Sequence, residues 1–237
     1  MKILLLVISF FTLSFTPIYD IEDHQHSELE VDIKGNKSFA KFLSHFEKVD
    51  IPEDIDHQKL QEYKSTFLET RKSSLVSANN AKTDVKNFLS EAVGSKFSRM
   101  GPPLVIPLDR YYPDENTIAV IYLVRYHFEL SGFDVKLALF DLKGNNKMRP
   151  PNPKSKKINS MLIAGFNIDE TVMCTFENPS SIFKITMKNN WQKELSEHGI
   201  KDNSIANYER LNSDLYTIHS NGKIEVDVNP TEYVSIK

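Results

Sequence analysis

The sequence predicts an α+β fold, with N-terminal helices packed on a mainly antiparallel β-meander sheet. Two observations carry that expectation. Up to about residue 100, apolar side chains recur at helical spacing, as in Phe39, Phe42, Leu43 and Phe46. From Leu104 the period drops to two, and no stretch convincing as a crossover helix separates the strands that follow. Residues 38–100 are therefore expected to be helical and 101–237 to form a meander of six to eight strands. The stretch 118–128 is apolar on both faces except at Arg125 and His127. Such a strand needs cover on each side, so 38–237 is expected to fold as one cooperative unit.

The chain opens with Lys2, a largely apolar run from Ile3 to Phe11, and small residues at Thr12, Ser14 and Thr16. That is the three-part pattern of a secretory signal, and it stops at Pro17, short of the ~20 apolar residues a membrane span needs. Residues 1–16 are thus expected to be a cleaved signal peptide, with no membrane span and an exported product, periplasmic or secreted. Asp20 to Asp32 contributes six acids and no lysine or arginine, and 17–37 reads as a flexible acidic leader. His24 and His26 lie in it beside carboxylates, a loose set for Zn²⁺ or Cu²⁺. A flexible tail fixes no ligand geometry, so no metal and no cofactor is expected.

Composition narrows the function classes. Apolar residues make up 40% and charged residues 26% of the 237, values of a globular protein with a proper core. A net charge of −3 gives no electrostatic steering toward nucleic acid. Cys174 is the single cysteine, so no intramolecular disulfide can form, and its place between Val172 and Phe176 on one strand face makes it a buried hydrophobe.

Three helices are expected. Ser38 caps the first, which ends before Pro52. Leu60, Tyr63, Phe67 and Leu68 mark the second, and Val85, Phe88, Leu89, Ala92 and Val93 the third, between Thr83 and Gly94. Strands are expected at 133–139, 161–168, 171–176 and 182–188, with a short helix over Trp191 to His198. The final hairpin turns at Asn221-Gly222. A two-residue loop would set Ile218 against Glu225. A three-residue loop with Gly222 left-handed sets Ile218 against Ile224 and Tyr216 against Val226, keeps the apolar faces together, and should win.

Candidate sites are few. The stretch 143–157 carries Lys143, Lys147, Arg149, Lys154, Lys156 and Lys157 around Pro150, Pro151 and Pro153. A proline-stiffened basic loop loses little entropy on docking a glycan or other acidic partner, although such loops are commonly just solvated. Arg110-Tyr111-Tyr112 and the strand tyrosines could floor a carbohydrate site, but Tyr122 and Tyr126 share a face with Ile118, Val120 and Val124 and read as core. Arg125 and His127, on the opposite face, are the better polar pair. Asp50, Glu53, Asp54 and Asp56 fit no calcium loop and suit the start of the next helix. None of the common nucleophile, zinc or phosphate-loop signatures is present. The expectation is a non-catalytic binding or envelope-associated protein. The alternative is a hydrolase-type enzyme with a dispersed site on the sheet face near Arg125 and His127.

The stretches Phe42-Leu43-Ser44-His45-Phe46 to Ile51-Pro52, Leu137 to Asn145, and Tyr216 to Ile224 together resemble a group of uncharacterised exported bacterial proteins with a helical opening and a later β-meander. The resemblance implies that layout over most of the mature chain. It implies no activity and transfers no functional residue.

Overall fold

The computed structural model describes residues 36–73, 83–93, 103–125, 132–148, 160–196 and 199–228, all within the second of the chain's two units, Ile33–Lys237. The expected signal peptide at 1–16 and nearly all of the acidic leader lie outside the described residues. So do the strand end at 126–128 with His127, and the run from Arg149 through Lys154, Lys156 and Lys157.

The protein is sheet-dominated. Among the described residues nine strands lie side by side in chain order. They are β1 (Glu47–Lys48), β2 (Leu104–Asp114), β3 (Thr117–Arg125), β4 (Phe133–Phe140), β5 (Met161–Phe166), β6 (Glu170–Asn178), β7 (Ser181–Ser196), β8 (Gly199–Ile218) and β9 (Ile224–Val228). The meander from β2 to β9 is antiparallel throughout, but β1 pairs with β2 in parallel. The sheet is therefore mixed, and the N-terminal part is not purely helical. Helices are few: α1 (Lys37–Leu43), α2 (His57–Ser73), α3 (Thr83–Phe88) and a 3₁₀ turn at Ser90–Val93.

Two local expectations are corrected. The cap of α1 is Asn36, not Ser38. The Asn36 side-chain oxygen accepts the Phe39 N–H at 3.0 Å, the reach that a cap has to the third helical donor. Trp191 to Ser196 is not helical but the continuation of β7, with Trp191 opposite Ile205 and Leu195 opposite Ile200. Trp191 and Leu195 stand four apart, a helical spacing, yet the cross-strand ladder to β8 continues through the segment and overrides so short a pattern.

The faces of β3 explain where the core sits. Ile118, Val120, Tyr122 and Val124 share one face with Phe140, which pairs directly with Ile118. On that face the rings of Phe39, Phe42 and Phe88 meet Phe140 at 5.4, 5.6 and 6.3 Å. Ala119, Ile121 and Leu123 on the other face join Val135, Leu137 and Leu139 in a cluster with Ile55 and Leu60. That cluster also takes in Tyr111 of β2 and Ile218 of β8. In a flat sheet six strand spacings would separate those two by about 29 Å, so the sheet curls around its own interior. Ser180 donates its hydroxyl to the Pro113 carbonyl at 2.8 Å and ties the β6–β7 turn to the β2–β3 turn.

Candidate functional site

A turn at Ser44 and His45 follows α1 and leads into β1, and from His45 to Glu53 every second residue lines one cleft of about 470 Å³. Extended backbone at β1 puts Glu47 and Val49 on one side, and His45 from the turn before it and Ile51 and Glu53 after it complete the same wall. Pro107, Leu108 and Asp109 of β2 form a second wall, and Lys59 and Tyr63, four apart on α2, form the third. Two features hold the extended wall in place. Val49 N–H donates to the Arg110 carbonyl at 3.0 Å, and Ile55 and Cys174 exchange backbone hydrogen bonds of 2.8 and 3.1 Å.

The acids of this segment divide their roles. The Asp56 side chain accepts the Lys59 N–H at 2.9 Å and starts α2, as the sequence suggests. Asp54 accepts the Phe176 N–H at 2.9 Å and pins the segment to β6. Glu53 reaches the Lys59 ammonium at 2.6 Å, and Glu62 stands 3.6 Å from the same nitrogen. Glu47 and Asp109 are direct register partners across the parallel β1–β2 pair, two carboxylates on adjacent strands lining the same cleft.

The protonation states follow from these placements. Burial, with the Glu47 charge second, raises the Asp109 carboxyl above the ordinary aspartate range. The hydrogen bond that Lys59 donates to Glu53 raises the lysine and fixes it as an ammonium. Burial, and then the Asp109 charge, drives the Tyr63 phenol up, so it stays a neutral donor. Cys174 is 3% exposed and burial pushes its thiol up, away from the reactive thiolate. A lysine nucleophile or base needs a depressed pKa, and a cysteine nucleophile needs the same. Neither is found here. The cleft offers fixed charges, a phenol donor and apolar walls at Val49, Ile51 and Leu108.

The residues singled out from sequence fall elsewhere. Arg125 ends β3 opposite Leu104, while Lys147 binds at the other end of that strand, about 26 Å away along the backbone. The Lys147 ammonium donates to the Thr117 hydroxyl at 2.6 Å, to the Asn116 carbonyl at 3.3 Å and to the Ser220 carbonyl. All three donors of that ammonium thus serve to join the β2–β3 and β8–β9 turns. Beside it a cavity of about 400 Å³ lies between Met148 and residues 221–224. Arg110 and Tyr111 are core residues. Arg110 is 7% exposed and donates to the Leu43 carbonyl at 2.7 Å. Tyr111 is fully buried against the Phe176 ring at 6.0 Å. The cleft itself went unread in the sequence, although one signal for it exists in the period-two placement of Glu47, Val49, Ile51 and Glu53.

No protein-family model, no curated protein and no solved structure matches the chain.

Proposed function

We propose that the protein is an exported, non-catalytic binding protein whose ligand carries an amine or guanidinium and an apolar body. The observation that carries this reading is the cleft between β1, α2 and β2. It sets Glu47, Glu53 and Asp109 against a single ammonium, Lys59, with Val49, Ile51 and Leu108 beside them. Three carboxylates facing one cation leave charge for a second cation, and bringing one between Glu47 and Asp109 relieves their mutual repulsion. Volumes of this size suit a small ligand or one or two peptide side chains. Residues whose pKa values are moved toward the charged ammonium and the neutral phenol are suited to holding a ligand rather than to attacking one.

The reading includes the finer architecture expected from sequence. A signal peptide at 1–16 is removed, and the acidic leader to residue 37 follows. The helices of residues 38–100 then pack on the meander of 101–237, to which the same part adds β1, as one cooperative unit. Among the described residues no helix is long and apolar enough to cross a membrane. The test is calorimetric titration with n-hexylamine and with 1-hexanol. The amine should bind and the alcohol should not, and the pair Glu47→Gln with Asp109→Asn should weaken the amine at least tenfold. Equal binding of both probes, or no binding of the amine, removes the proposal.

A further inference from the structure

β9 has a ladder on one side only among the described residues, because it is the last strand of the sheet. Which of its backbone groups face outward follows from two hydrogen bonds. His219 N–H donates to the Lys223 carbonyl at 2.9 Å, so residue 223 is paired toward β8. Ile218 N–H instead donates to Ser180 at 2.8 Å, on the β7 side, so its partner Ile224 is not. Alternation along an antiparallel pair then turns the N–H and C=O of Glu225 and Asp227 toward β8. Those of Ile224, Val226 and Val228 turn outward.

The side chains of that edge are sorted by face. Val226 and Val228 lie on one face, 45% and 61% exposed, while Glu225 and Asp227 lie on the other. Lysine and proline, which commonly blunt an open edge, are both missing between Ile224 and Val228. A second copy of the same edge is a poor occupant. Antiparallel pairing centred on Val226 keeps the valines together but sets Glu225 of each copy against Asp227 of the other, and like charges directly opposite destabilise a pair. Shifting the register by one residue sets valine against acid.

We infer that β9 is a docking edge for an extended segment of a partner protein in which lysine or arginine alternates with apolar residues. The added strand takes three outward N–H and three outward C=O groups into a new ladder. Its cations lie opposite Asp227 and opposite Glu225, whose carboxylate also has His219 at 3.0 Å and Lys223 at 3.9 Å, and its apolar side chains lie beside Val226 and Val228. This is strand addition with the specificity carried by charge.

A capped heptapeptide of alternating lysine and valine, labelled for fluorescence anisotropy, tests the assignment. It should bind, and Glu225→Lys with Asp227→Lys should weaken it at least tenfold. The same peptide methylated on alternate backbone nitrogens along its pairing edge should not bind, a control that leaves the protein untouched. Equal binding of the methylated peptide, or of one with glutamate for lysine, overturns the proposal. So does loss of binding on Glu47→Gln with Asp109→Asn, which would place the peptide in the cleft instead. A dimer of the free protein that Val226→Pro returns to monomer would assign the edge to a second copy and overturn it as well.

Discussion

Asp109 sits half-buried beside Glu47, and its raised pKa is a statement about stability. The folded state holds its proton more tightly than the unfolded chain does, for which the ordinary value is 3.8. Its contribution is therefore fully present below pH 3.8 and is lost as pH rises through the folded pKa. Asp109→Asn removes that loss. The variant should melt at a higher temperature than the parent at pH 7, and the two should converge near pH 3.5. Thermal unfolding at both pH values checks this, and an unchanged melting point at pH 7 would show that the carboxylate is not strained there. Stability and binding then move in opposite directions at one residue, since the same variant should lose the amine probe. Neither effect was legible from the sequence. Asp109 and Glu47 are 62 positions apart by their numbers, and only the parallel pairing of a two-residue strand sets them side by side.

At the scale of single elements, the β8–β9 hairpin was legible in detail, because a hairpin's register is a local matter of turn geometry and apolar alternation. Ile218 faces Ile224 and Tyr216 faces Val226, with Gly222 at φ +78° closing the three-residue loop. What the sequence did not carry is that this turn is also a contact. A Cβ on Gly222 would stand 2.5 Å from the Lys147 Cβ and 2.9 Å from its carbonyl oxygen. Gly222→Ala therefore meets two penalties, the left-handed backbone and the clash with the lysine that ties two turns together. It should cost about 2–4 kcal/mol in urea-induced unfolding. A cost under about 1 kcal/mol would mean that the turn relaxes freely. The β7 extension past residue 190 shows the opposite case. Its strand state is set by pairing with the part of β8 that directly follows it, Leu195 with Ile200 and Trp191 with Ile205, while the four-residue spacing of its apolar side chains reads as a helix.

Across the whole molecule, the curled sheet is covered on one face of β3 by aromatic rings from α1 and α3 and on the other by Ile55 and Leu60. Phe140 is the joint of the first layer, 1% exposed and within 6.3 Å of three rings. Phe140→Ala leaves a cavity that three aromatic side chains line, and should cost about 3–5 kcal/mol. Urea unfolding followed by tryptophan fluorescence, with Trp191 distant on the β7–β8 ribbon, would show whether the loss is felt globally; a transition seen only in the far-ultraviolet signal would argue for separate units. By itself the sequence determined the periods, and with them the sheet-dominated meander, the core faces and the last hairpin, because each depends on residues within a few positions of one another. The tertiary structure alone decided the parallel β1, the cleft built on it, the buried roles of Arg110 and Tyr111, and the three-way tie at Lys147. Each of those is a meeting of segments far apart in the chain, settled by how the sheet curls and which carboxylates and cations that curling brings into reach.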